Sequence, residues 1–99
     1  MRIYFERSGG FAGIHLTAMI DSETLSEEEA AKLFEMVESA NFFNLPTTIA
    51  AREQGADRFQ YRVTIECEGK RHSVEIQEAA IPPPLRPLLQ WLTAAARKK

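Results

Sequence analysis

Two histidines, His15 and His72, and a single cysteine, Cys67, are the side chains in this sequence best suited to nucleophilic or metal chemistry. A thiol nucleophile needs a base beside it and a third group to orient that base. His72 and Cys67 fall on the same inward phase of two alternating stretches, so a Cys–His dyad is conceivable. Burial there would raise the thiol pKa and shut out substrate. The competing reading is an inert thiol and a core histidine beside its hydrogen-bond partner. One cysteine and two distant histidines offer no ligand pair at the spacing that zinc sites use. No metal, no cofactor and no catalytic residue are therefore expected, and the chain reads as a non-enzyme. Gly9-Gly10 is not a phosphate loop, because no Lys-Ser or Lys-Thr follows and the next element is a strand.

The charged residues are equally unhelpful to an enzymatic reading. Asp21, Glu23, Glu27, Glu28, Glu29, Glu35 and Glu38 gather in one stretch, with Lys32 the only base among them. They read either as a solvated helix face or as a docking surface for a basic partner. Net charge is −2, and the basic residues are interspersed with acids, which argues against nucleic acid or an anionic membrane as partner.

The elements that must position these residues follow from periodicity. Residues 2–7 alternate, with Ile3 and Phe5 on one face and Arg2, Tyr4 and Glu6 on the other, as a half-buried strand does. Ser8–Gly13 is rich in turn residues, and alternation resumes through Ile14, Leu16, Ala18 and Ile20, predicting a β-hairpin with Phe11 at its tip. Ser26 and Glu29 form a capping box for a helix whose stripe is Ala30, Leu33, Phe34, Val37 and Ala40. Asn41-Phe42-Phe43-Asn44-Leu45-Pro46 is expected to end it, Leu45 being biased away from helical geometry by the proline after it. No periodicity is visible from Pro46 to Arg58, apart from room for a short strand within Thr47–Ala51. Loops of that length are often functional. Phe59, Tyr61, Val63, Ile65 and Cys67 alternate clearly. After Glu68-Gly69-Lys70 the pattern continues through His72, Val74 and Ile76. Leu85, Leu88, Leu89 and Leu92 mark a second helix, with Pro87 in its first turn and Arg97, Lys98 and Lys99 at its end.

The order ββαββα predicts an α+β fold: a four-stranded antiparallel sheet with two helices packed on one face. The open face would carry Tyr4, His15, Thr17, Met19, Arg62, Thr64 and Glu75. Ninety-nine residues, 44% hydrophobic and 26% charged, make one domain over residues 1–99. No signal-peptide core follows Met1, no apolar run spans a bilayer, and a lone cysteine forms no internal disulfide. A cytoplasmic, membrane-free protein, monomeric when free, is the expectation.

Several stretches resemble a known family when taken together. They are Glu6-Arg7-Ser8-Gly9-Gly10-Phe11-Ala12-Gly13-Ile14, Phe43-Asn44-Leu45-Pro46, Gly55-Ala56-Asp57-Arg58-Phe59-Gln60-Tyr61, and Pro84-Leu85-Arg86-Pro87-Leu88-Leu89-Gln90-Trp91-Leu92. In this order they resemble the emfourin family, small bacterial inhibitors of thermolysin-like (M4) metallopeptidases such as protealysin. The resemblance implies a thermolysin-like metallopeptidase as partner and stoichiometric inhibition as function.

Such proteases prefer a bulky apolar side chain just after the scissile bond, beside a zinc ion. Two segments could supply one. The hairpin tip offers Phe11, flanked by Gly9, Gly10 and Ala12, with glycines that permit close backbone approach. The Thr47–Asp57 segment, which also contains Gly55, offers Ile49 as anchor and Asp57 as an oxygen donor, with a reach of roughly 15–20 Å. Each has a plainer reading: Phe11 folded back over the sheet edge, Asp57 capping a turn or pairing with Arg58. A different function, a non-catalytic interaction module using the open sheet face, also stands.

Overall fold

The computed structural model describes residues 1–9, 15–50 and 59–98. Its strands are β1 (Arg2–Gly9), β2 (Leu16–Asp21), β3 (Thr48–Ile49), β4 (Phe59–Cys67) and β5 (Lys70–Gln77); its helices are α1 (Glu27–Ser39) and α2 (Arg86–Arg97). The α+β class and the two helices agree with the sequence. The sheet does not. It has five strands in the order β2-β1-β4-β5-β3, and the edge pair β3–β5 is parallel, so the expected four-stranded antiparallel sheet is corrected to a mixed one.

The physical reason lies in how the chain leaves α1. Asn41 adopts the left-handed conformation, with φ of 51°, and ends the helix at its C-terminal cap. The helix thus stops at the first residue of the Asn41–Pro46 stretch expected to end it. A 3₁₀ turn, Phe42–Asn44, then lays the chain along the free edge of β5. There the His72 ring nitrogen Nε2 lies 2.7 Å from the Leu45 carbonyl oxygen, and the ring meets Phe42 edge-on at 5.6 Å. Two residues further, the Glu75 amide donates to the Thr47 oxygen at 2.8 Å. Thr48 and Ile49 are thereby aligned with Glu75 and Ile76. A two-residue strand is too short to show a period, which is why only its place is visible in the sequence.

The alternation elsewhere works as read. Ile3, Phe5, Ala18, Val63, Ile65, Val74 and Ile76 form the inner face of the sheet and are buried. Leu33 and Val37 of α1 and its C-cap Ala40 join the same core as Leu88, Leu89, Leu92 and Ala96 of α2. Phe34, placed on the helical stripe by spacing, is instead 41% exposed. Ser26 caps α1 by accepting from the Glu29 amide at 3.2 Å. Pro87 lies in the first turn of α2. The β4–β5 hairpin turns on Glu68 and Gly69, both at positive φ, with Cys67 paired to Lys70, which is the geometry of a two-residue primed turn.

The outer face is tied by cross-strand polar pairs. Arg62 pairs with Glu75, and Thr64 shares a 2.6 Å hydrogen bond with Ser73. Thr64 is thereby buried although it points away from the core. Met19 is the large apolar side chain this face exposes.

Removing the His72 ring should strip the edge strand of its anchor. His72→Ala is expected to lower the unfolding free energy by about 1 kcal/mol, the usual size of one hydrogen bond's net contribution, because the Leu45 acceptor is only part-buried. A urea titration should show a lower midpoint at constant slope. Hydrogen exchange should show the Glu75 amide losing protection before the amides of the β1–β4 ladder.

Candidate protein-binding site

Strand register decides which loops can act together. β1 and β4 run antiparallel with Arg2 opposite Glu66 and Gly9 opposite Phe59. The residue at which the first candidate segment departs is therefore the neighbour of the residue at which the second returns. Gln60 lies opposite Gln77, and Ile49 runs parallel to β5 opposite Ile76. Gly9, Ile49 and Phe59 consequently share one end of the sheet. Three inter-strand steps separate the β1 and β3 positions, about 14 Å at the usual strand spacing.

Of the site residues expected from sequence, Gly9 closes β1 with φ of 94°, a conformation that suits glycine. Ile49 sits in β3, half-buried and packed against the core. Gly10, Phe11, Ala12, Gly55 and Asp57 lie outside the described residues.

Just beneath this end, the last full inner row crosses all five strands: Leu16, Arg7, Tyr61, Ile76 and Ile49. Arg7 is the charged member of that row and is only 8% exposed. Its guanidinium carbon stands 4.3 Å from the centroid of the Phe59 ring, a cation–π stack that offsets part of the desolvation. Its Nε is buried and has no hydrogen-bond partner among the described residues. The Phe59 amide donates to the Glu78 carboxylate at 3.0 Å, which fixes the first residue of β4. Gly9, Phe59, Arg7 and Glu78 thus form one connected cluster. Sequence reasoning missed the importance of Arg7, although the parity Ile3-Phe5-Arg7 already places it on the inner face.

Beside the cluster runs a groove of about 770 Å³ between α2 and the turn after β5, lined among others by Arg7, Glu78, Arg86, Gln90, Thr93 and Arg97.

The residues considered for catalysis are committed elsewhere. His72 is held at Leu45, far along β5 from this end. Cys67 is half-buried at the opposite tip of β4, so it is less enclosed than its inward phase implied. Among the described residues no group of three or more His, Cys, Asp or Glu could hold a metal ion, and no helix is long and apolar enough to cross a membrane.

A small α+β scaffold that gathers two loop exits at one end of its sheet has the form of a protein-binding module. The chain belongs to the Emfourin family, whose model matches residues 5–93, and this is a family of protease inhibitors. No curated protein and no solved structure matches the chain.

The Glu78 contact is a hydrogen bond to a backbone amide, so shape should matter more than charge. Glu78→Gln keeps an acceptor and is expected to change stability by less than about 0.5 kcal/mol, whereas Glu78→Ala should lose about 1 kcal/mol. Thermal unfolding of the two variants against the parent checks this.

Proposed function

We propose that this chain is a stoichiometric inhibitor of a thermolysin-like (M4) zinc metallopeptidase, acting from the end of the sheet where Gly9, Ile49 and Phe59 lie. The observation that carries the reading is the register Gly9–Phe59 together with the parallel pair Ile49–Ile76. It brings the borders of both candidate segments within one cleft-sized footprint. Family membership supports a protease as the partner.

In this reading the protease cleft receives an apolar anchor from the first segment, Phe11, with Gly9, Gly10 and Ala12 keeping the backbone slim around it. Gly55 and Asp57 approach from the second segment, and the Asp57 carboxylate faces the metal side of the cleft. Ile49 fixes the strand from which that segment leaves. The five-stranded sheet fixes the residues that border both segments, Gly9, Ile49 and Phe59, and rigid borders limit the ordering entropy lost on association. The inhibitor works in the cytoplasm, as a monomer until it meets its target.

The test is a titration of the chain into a fixed amount of active thermolysin-like protease, with peptide cleavage as readout and a serine protease in parallel. Activity of the zinc enzyme should fall linearly to zero near equimolar addition while the serine protease is untouched. Full activity of both at large excess of folded chain overturns the proposal and leaves a non-inhibitory interaction module. Phe11→Ala should weaken inhibition by about thirtyfold, equivalent to about 2 kcal/mol, with its unfolding midpoint almost unmoved. A large stability loss with unchanged inhibition would assign Phe11 to the core. The same two assays on Asp57→Ala test the second segment separately.

A further inference from the structure

The groove along α2 has a charge layout that points to its own ligand. Its α2 wall is Arg86, Leu89, Gln90, Thr93, Ala94 and Arg97, a single helical face running the whole length of the helix. Arg86 and Arg97 are exposed and stand eleven residues apart, about 16 Å along the axis at the rise of an α-helix. Buried Arg7, its Nε without a partner among the described residues, lines the sheet side of the same groove. Among the described lining residues Glu78 is the acid, against three arginines, and one of its carboxylate oxygens accepts from the Phe59 amide. The groove is therefore a long, net-positive channel with hydrogen-bonding side chains between its terminal charges.

We infer that this groove binds an extended, carboxylate-rich peptide segment of a partner protein. Planar guanidiniums match carboxylates in a fork geometry and suit such recognition better than lysines do. Phosphate shares that chemistry, but a single phosphate cannot engage charges about 16 Å apart. An extended segment of about five residues covers that distance at about 3.3 Å per residue. Gln90 sits between the terminal arginines and can serve the backbone of such a segment, and the Thr93 hydroxyl, which donates to the Leu89 carbonyl at 2.7 Å, can accept from one of its amides. The groove adjoins the sheet end described above, so one partner can occupy both, yet the inference stands whether or not that partner is a metallopeptidase.

The experiment follows backbone amide resonances of the full chain during titration with a pentapeptide made only of glutamate, acetylated and amidated at its ends. The equivalent all-glutamine pentapeptide and inorganic phosphate serve as separate arms. Shifts should concentrate at Arg7, Tyr61, Ala79, Gln90 and Thr93, and half-saturation should weaken about tenfold between 50 and 200 mM salt as screening shortens. The double variant Arg86→Gln/Arg97→Gln alters exposed positions only, and its own spectrum reports that it is folded. It should weaken the glutamate peptide at least fivefold. Arg62→Gln/Arg71→Gln, which removes two positive charges outside the groove, should leave binding unchanged. Absent or scattered shifts, equal loss in both double variants, or equal binding of the glutamine peptide would overturn the inference. So would phosphate producing the same local shifts while the glutamate peptide does not, since that marks a small-anion pocket. None of these outcomes depends on inhibition, so the groove and the inhibitor reading can fail separately.

Discussion

The antiparallel pairing of β1 with β4 is the constraint on which the rest of the molecule depends. It joins two hairpins that are otherwise remote in sequence, and its register from Arg2–Glu66 to Gly9–Phe59 fixes every row of the sheet. A slip of one residue would turn Ile3 and Phe5 to solvent and bring Tyr4 and Glu6 into the core. The same register, with the β4–β5 and β3–β5 pairings, brings the borders of both candidate segments to one end. Fold stability and site assembly therefore rest on the same ladder.

Arg7 shows how that end differs from the remainder of the core. Elsewhere on the inner face the buried residues are aliphatic or aromatic, and burial alone accounts for them. Desolvating a guanidinium is costly unless other groups offset it. Here the Phe59 ring supplies one contribution, and the adjoining groove leaves the charge a route to an external partner. Phe59 links three roles at once: it pairs with Gly9, stacks on Arg7 and is anchored by Glu78.

Much of this is legible in the chain, for physical reasons that differ by element. The two-residue period of β1, β2, β4 and β5 and the leucine spacing of α2 report their own burial. The capping role of Ser26 and the turn at Glu68-Gly69 come from local chemistry that needs no tertiary context. The edge strand β3 is hidden because two residues carry no period and its partner, β5, lies more than twenty residues away. The end of α1 is legible in the stretch Asn41–Pro46, whereas the left-handed turn at Asn41 that executes it leaves no periodic signal. At the site, Gly9 and Ile49 are visible as loop borders, but their common end is not, since register between distant strands leaves no local trace. The burial of Arg7 is readable from parity and its stacking on Phe59 is not.

The central ladder also governs the order in which the molecule can assemble. Its paired residues are between 50 and 64 positions apart, whereas each flanking hairpin closes locally. Closing so long a loop loses entropy before any contact compensates, and chains rich in such pairings fold slowly. On a ribosome, β1 would emerge with one edge satisfied by β2 and the other unpaired until residue 66 had been made. Through that interval Ile3 and Phe5 stay open to wrong partners, so quality control of this small protein falls on its first strand. Substitutions there would change the yield of folded molecules as well as their final stability.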